Sequence, residues 1–483
     1  MDPNDPAYPP ADSGGDPLSF IVCRTAQGAE VRGTLHRLTR FMAVFEIYNP
    51  YSILQLSEVL TDFRVFMNER VVYSARAVIA NLVNTGIIVI CEASLIEEGW
   101  IDIDLFSPVH KRDNLLREFG EFIKETEKIH RVLPGFKVVV ADMQIFLTDM
   151  RRWMEQVELG VRSLPAMDRL AAEREVLLKL EEPIVMTVIP LMQRVESAAT
   201  DIPLDLQPVH RSYIKRQLHP IVLCSPFVFR TYHKPLGYAG DYEMVSMMLR
   251  DPFEGSTLFA KMLNKLCLEI PPVIAHRNRI DYLRGMLNEE AGRAAAAGKV
   301  ARIYNLGCGP AQEVQRFISM DDMSDNADFL LLDFNDETVA HATRVLEESR
   351  ARHRRRTGLR IEKRSVQQVL KDGLRHGGDD TGAFDVVYCA GLFDYLSDRV
   401  CKKLLSIFYE KVAPGGLLIA TNVHPNNPWR NWMEYLGDWH LVYRTADEFI
   451  KLAPENAPDG APQVIADSTG LNVFLEVRKP ENA

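Results

Sequence analysis

The sequence predicts a multidomain chain: a small antiparallel β-barrel at the N-terminus, a helical middle, and a C-terminal α/β unit built on a seven-stranded sheet. Three observations lead there. Short β-branched segments separated by polar turns fill Leu18 to Leu95, apolar positions take up a helical period from Asp113, and from Lys299 a buried strand, a glycine turn and a helix follow in direct succession. At 483 residues the chain is too long for one ordinary core, which agrees with a division into parts.

Composition narrows the function classes. With 47% hydrophobic and 25% charged residues the chain has the balance of a soluble globular protein. A formal net charge of −10 argues against a polyanion binder, so nucleic acid is not an expected partner. The seven cysteines are scattered without CxxC spacing, which indicates neither a metal site nor a disulfide framework and suits a reducing cytoplasm. The start MDPNDPAYPPADSGGDP lacks the basic and apolar parts of a signal peptide, and no apolar run reaches the ~18 residues that span a bilayer. A cytoplasmic protein without an integral membrane segment is expected, with residues 1–16 as a disordered tail.

Residues 17–107 make the first unit. The segments LSFIV, VRGTLHRL, FMAVFEIY, FRVFM, VVYSARAVIANLV and GIIVICEASL have the length and β-branched content of strands. Their order resembles a PilZ-like domain. Such domains clamp cyclic di-GMP with an arginine-rich lead segment and an Asp/Asn-x-Ser-x-x-Gly turn, because the planar guanidinium fork matches phosphate and guanine. Arg24, Arg32, Arg37 and Arg40 are present, but that turn is not found in its place. Cyclic di-GMP binding is therefore not expected, and a barrel used for packing or dimerisation is the preferred reading.

In the middle, 108–220, Leu115, Phe119, Phe122, Ile123 and Ile129 share one helical face that stops at Pro134. The stretch Asp168 to Leu180 is amphipathic, and Pro183 and Pro190 are expected to break or kink the chain after it. This region reads as a scaffold, with a homodimer as the expectation for its paired helices.

Residues 221–483 carry the chemistry, 221–297 as a helical lead-in and 298–483 as the core. The strand KVARIYNL is followed at once by Gly307-Cys308-Gly309-Pro310 and the helix AQEVQRFI. Glycines let the backbone approach a ligand closely, and the helix start offers free N–H groups to an anionic moiety. A dinucleotide-binding loop would keep its third glycine position small, whereas Gln312 stands there. The second strand, DFLLLD, ends in Asp333, whose carboxylate can accept both hydrogen bonds of a ribose diol. Further strands follow at Leu359–Lys363 and Phe384–Gly391, then the turn Pro414-Gly415-Gly416 and LLIATNV. HLVYR and LNVFLEVRK are expected to form the closing antiparallel pair.

This succession resembles the Rossmann-like class I S-adenosyl-L-methionine (SAM)-dependent methyltransferases. The resemblance implies SAM as cofactor at Gly307, Cys308, Gly309 and Asp333, with Ser365 and Val366 around the adenine and Cys389 and Ala390 at the end of the fourth strand. Upstream, Tyr232 to Glu243 (YHKPLGYAGDYE) mixes glycine hinges with aromatic and acidic groups. It reads either as a lid, with Tyr238 or Tyr242 near the sulfonium and Asp241 or Glu243 at a polar cofactor edge, or as an interdomain turn in which Asp241 caps the next helix. With the PilZ-like start and the NLGCGPAQE loop, most of the chain resembles the bacterial extracellular factor, or 3-hydroxypalmitic acid methyl ester, biosynthesis proteins. That implies synthesis of a quorum-sensing signal by O-methylation of a fatty-acid carboxylate.

Methyl transfer chiefly needs donor and nucleophile held in line. A carboxylate acceptor, ordinarily with a pKa of ~4, is already ionised, whereas a hydroxyl or amine needs a base. His424, just after the fifth strand, suits a base or a donor that orients a carboxylate, although a lone histidine is more often structural. Tyr395 is the second catalytic candidate, and Asn422, Trp429 and Arg279 are candidates for the acceptor pocket. Two further readings stay open. One is transfer to a protein or another metabolite, marked by a polar cleft in place of an apolar tunnel; the other is a non-catalytic regulator that senses SAM or a nucleotide.

Overall fold

The computed structural model describes residues 19–48, 54–67, 70–84, 88–101, 120, 123, 131–373 and 382–481. The expected tail at 1–16, and most of the helix expected before Pro134, lie outside them. Six strands form a closed antiparallel barrel: β1 (Ser19–Arg24), β2 (Glu30–Thr39), β3 (Met42–Tyr48), β4 (Val59–Met67), β5 (Arg70–Asn84) and β6 (Ile88–Leu95), in the order β1-β2-β3-β6-β5-β4. The strand period of two decides which side chains face in. Ile21 and Cys23 point into a core completed by Phe45, Phe63 and Tyr73, while Phe20 stays outside, stacked on Phe66 at 4.6 Å. Arg32 lies over Phe20, 4.0 Å from the ring centre, and Arg24 pairs with Asp62 at 3.6 Å.

Three long helices come next: α1 (Pro134–Arg162), α2 (Ala166–Thr200) and α3 (Gln207–Val222). Pro183 and Pro190 do not end α2, which runs through both. The reason is tertiary: Leu177, Ile184, Val188, Met192, Val195 and Ala199 recur at helical spacing and are buried in the core that α2 shares with α1. That burial outweighs the two hydrogen bonds the prolines cannot donate. Among the described residues no helix is long and apolar enough to cross a membrane.

The lead-in consists of α4 (Pro226–His233), α5 (Tyr242–Met247), α6 (Leu258–Leu268) and α7 (Pro271–Ala296). The α/β core then alternates β7 (Ala301–Leu306), α8 (Gln312–Met320), β8 (Ala327–Asp333), α9 (Asp336–His353), β9 (Gly358–Lys363), α10 (Val366–Gly373), β10 (Phe384–Cys389), α11 (Asp398–Lys411) and β11 (Val412–Val423). It closes with α12 (Arg430–Gly437), α13 (Ala446–Ile450), β12 (Pro462–Ala466) and β13 (Asn472–Arg478). The sheet has seven strands in the order β12-β13-β11-β10-β7-β8-β9. Strands β9, β8, β7, β10 and β11 pair in parallel, and β13 runs antiparallel to both β11 and β12. This is a seven-strand mixed sheet of Rossmann-like topology.

The closing pair differs from expectation. LNVFLEVRK supplies β13, but its partner is PQVIA, not HLVYR. Residues His440 to Arg444 instead pass the carboxyl end of β11, where Val442 N–H donates to Asp394 O and Arg444 N–H to Val423 O. The buried Arg444 guanidinium binds Asn422 Oδ1, Asp398 and two backbone carbonyls, which holds this segment across the strand ends and away from the sheet edge.

The barrel packs on the α/β core through residues 54–59. Ser57, at φ 60°, accepts a hydrogen bond from His440 N–H at 2.6 Å and donates one to His440 O at 3.0 Å. Val59 N–H donates to Gly237 O at 2.6 Å, which ties the barrel directly to the Gly-Tyr segment.

Candidate active site

Neighbours of β7 lead the chain in opposite directions, so a crevice opens beyond the carboxyl ends of β7 and β10, where ligands bind in open α/β sheets. A cavity of about 270 Å³ lies there. Its first wall is the turn after β7. Gly307 and Cys308 N–H both donate to Leu332 O, at 2.8 and 3.0 Å, and Gly307 and Gly309 adopt φ of 78° and 52°. Residues with side chains rarely adopt such angles, so glycine there lets a ligand meet bare backbone. Asp333, at the end of β8, lines the same cavity and is 6% exposed. Its carboxylate accepts Gly309 N–H at 3.1 Å and Asn335 N–H at 3.0 Å, while burial pushes its pKa up to about 6. Each oxygen retains a further lone pair for a donor from the cavity.

The Gly-Tyr segment covers this end. Tyr238 lines the cavity with its ring 4.9 Å from that of Phe334 and its hydroxyl 3.2 Å from Thr338 Oγ1. Burial, with Asp333 nearby, pushes the Tyr238 phenol up. The segment is anchored on both sides: buried Lys234 donates to Gly437 O at 2.7 Å, and buried Asp241 accepts from Arg230 Nε at 2.8 Å. Asp241 also caps α5 by accepting Met244 N–H at 2.8 Å, and it does not line the cavity. Its geometry is that of the capping alternative.

Other expected residues divide in the same way. Val366 and Ala390 line the cavity. Ser365 does not; its hydroxyl accepts Gln368 N–H at the start of α10. Cys389 sits in the core behind the sheet, where burial raises its thiol well above the ordinary value. Tyr395 and Arg279 are both at the cavity. Trp439 Nε1 donates to Tyr395 Oη at 2.9 Å, and burial raises the phenol. By contrast, His424, Asn422 and Trp429 are not brought to the cavity. His424 Nδ1 accepts Asn426 N–H at 3.2 Å in its own turn. Asn422 is fully buried and donates to Val423 O and Val442 O, so its amide closes the loop after β11. Trp429 is buried against the helical layer, beside Val185 and Ile189.

Sequence reasoning missed His276, Asp394, Asn427 and Trp439, all of which line the cavity. For His276 a signal existed: it stands three residues before Arg279, so the two share a face of α7. It also missed the far end. Past Arg279 the cavity continues between Met143 and Leu147 of α1, Val188 and Met192 of α2, and Leu263 and Leu266 of α6. These walls are apolar, so the crevice becomes an apolar branch inside the helical layer.

No family model matches the chain, and no curated protein matches it. Among solved structures, a possible exported protein from Bordetella parapertussis is 19% identical, with 51% of this chain and 81% of that one aligned at a TM-score of 0.39. A magnesium protoporphyrin IX methyltransferase from Synechocystis PCC 6803 with bound S-adenosylhomocysteine (SAH) is 12% identical over 42% of this chain and 84% of that one, at a TM-score of 0.30. The N-methyltransferase NodS from Bradyrhizobium japonicum WM9, in complex with SAH, is 14% identical over 50% and 98%, at a TM-score of 0.29.

Proposed function

We propose that this chain is a SAM-dependent methyltransferase that methylates the carboxylate of a small molecule with an apolar tail, such as a 3-hydroxy fatty acid. The observation that carries the reading is the continuity of one cavity from the glycine turn and Asp333 into the apolar branch. Asp333 would hold the ribose diol, the bare Gly307–Gly309 backbone the amino-acid end, Val366 the adenine and Tyr238 the nucleoside. Bound SAM supplies a methyl group activated by its sulfonium. The protein's part is to align the acceptor with that methyl and exclude water. A carboxylate needs no base for this, which suits a cavity that His424 does not reach. An apolar branch also favours this reading over transfer to a protein, for which a polar cleft is expected.

Calorimetric titration with SAM and SAH, followed by transfer of labelled methyl to a series of long-chain 3-hydroxy acids, tests it. Binding with base-labile methyl incorporation into the acids supports the reading. Binding with incorporation only into proteins or hydroxyl-bearing metabolites moves the acceptor class, and no binding of either nucleoside removes the cofactor.

A further inference from the structure

The junction between the two ends of the cavity is built by α7. His276 and Arg279 both line it, as do Val273, Ile280 and Leu283 toward the apolar branch. Arg279 Nη2 donates to His276 Nδ1 at 2.8 Å. A ring nitrogen that accepts a hydrogen bond carries no proton, so in the neutral ring the proton resides on Nε2. Burial and the neighbouring Arg279 and Arg277 keep this imidazole neutral, its pKa well below the ordinary value. Among the described residues Nε2 has no hydrogen-bond partner, and His276 keeps accessible surface on the cavity side although protein surrounds it.

Arg279 is equally unspent. It is 9% exposed, and its nearest carboxylate, Asp394, is 4.0 Å away, too far for a hydrogen bond. That carboxylate instead accepts Val423 N–H at 2.8 Å. The guanidinium lies on Gly391, where a Cβ would come within 2.9 Å of it. The next residue, Leu392, packs against Gly307, so the pair borders the glycine turn on one side and the apolar branch on the other.

We infer that His276 and Arg279 hold the acceptor's carboxylate, with Arg279 fixing His276 as a neutral Nε2–H donor aimed into the cavity. Here His276 is a positioning donor and never a base, since its only lone pair is taken by Arg279. The inference rests on the proposed function and adds which groups select an acid over an alcohol of the same length.

The full-length protein loaded with SAH is titrated with decanoate and with decanol, as wild type, His276→Ala and His276→Gln. In wild type decanoate binds more tightly than decanol. The alanine variant loses roughly 10-fold or more in decanoate affinity, as expected for a hydrogen bond to a charged group, while its decanol and SAH affinities stay level. The glutamine variant, whose amide keeps a donor near the Nε2 position, recovers most of the loss. Nitrogen NMR of the imidazole reports the Nε2–H tautomer in wild type and its loss of definition in Arg279→Met. The inference is overturned if the alanine variant loses SAH affinity instead, which would assign the pair to the cofactor's own carboxylate. Equal losses for decanoate and decanol, no loss for either, or no preference for decanoate in wild type overturn it too. Wild type that fails to bind SAH at all sinks the proposed function first, so the two failures are told apart.

Discussion

At the glycine-turn end of the cavity the walls come from the carboxyl ends of β7, β8, β9 and β10; at the other end they come from α1, α2 and α6. The first end is built around the bare backbone of the glycine turn and the Asp333 carboxylate, and its shape follows from sheet topology. The second is made of side chains alone, and its shape follows from how long helices pack. A substitution at one end should therefore leave the other intact, with α7 and its His276–Arg279 pair as the hinge between them.

The strongest way to break that separation is Asp333→Ala. Removing the carboxylate takes away the proposed acceptor for the ribose and leaves the half-buried Gly309 and Asn335 N–H groups without it. Affinity for SAM should fall by about 100-fold or more, since a buried charged hydrogen-bond group is worth roughly 2–5 kcal/mol when truncated. Fatty-acid binding to the helical end, read by displacement of a fluorescent acyl probe, should persist. Loss of both would mean that the ends do not form separately.

Val188→Phe makes the complementary change. Val188 is fully buried and lines the apolar branch, so the larger ring fills it. Turnover of long-chain acids should fall by about 10-fold, with a stability cost of roughly 1–3 kcal/mol from overpacking. SAM affinity and turnover of short acids should not change. An unchanged chain-length profile would show that acceptors do not enter the helical layer.

The same contrast explains what could be read from the sequence. Glycine turns, an acidic residue at a strand end and a strand-helix alternation are local signals, and Gly307, Gly309 and Asp333, which they single out, line the cavity; Val366 and Ala390, implied by the family resemblance, line it too, whereas their neighbours Ser365 and Cys389 do not. The Gly-Tyr segment was recognisable because glycine and aromatics cannot make one regular helix. Met143, Leu147, Val188 and Met192 gave no such signal: an apolar stripe on a helix looks the same whether it faces another helix or a cavity. His424 and Asn422 misled for a related reason. Asn422 lies at the end of β11 and His424 just after it, where the strand points toward the crevice, but the His440–Arg444 segment closes over that end and claims Asn422 for its own backbone. The prolines do not end α2, because packing overrides the local propensity to break there.

A smaller effect sharpens the glycine-turn end by pH. Asp333 has its pKa raised to about 6 by burial, so its ionised form is the costly one. Its contribution to stability is present below its ordinary value near 3.8 and is lost as pH rises through about 6. Ribose hydroxyls donate to the ionised form, so SAM affinity runs the other way: level above about 6 and falling below it, by no more than about 10-fold per pH unit. Calorimetry of wild type across that range checks it. A profile that is flat through pH 6 would detach the carboxylate from the cofactor.

The least change is expected at the barrel, which meets the cavity through Gln55 and Leu56. Glu58 shapes that contact: it is 4% exposed and accepts Gln55 N–H and Ala26 N–H, both at 2.9 Å. Burial pushes its pKa from 4.5 up to about 7. Its contribution to stability is therefore full below about 4.5 and is lost as pH rises through about 7. Glu58→Gln cannot ionise and can accept only one of the two N–H groups, so at mildly acidic pH the variant should be less stable by about 1 kcal/mol. Toward neutral pH the gap should narrow, because wild type bears the cost of a buried charge and the variant does not. Melting temperatures recorded against pH for both proteins decide this, and curves that stay parallel would remove Glu58 as the source of any pH response. The barrel's hydrogen bond from Val59 to Gly237 then makes a further demand. If the contact holds the Gly-Tyr segment over the nucleoside, the variant's SAM affinity should weaken slightly in step with its stability, while fatty-acid binding in the helical layer stays the same.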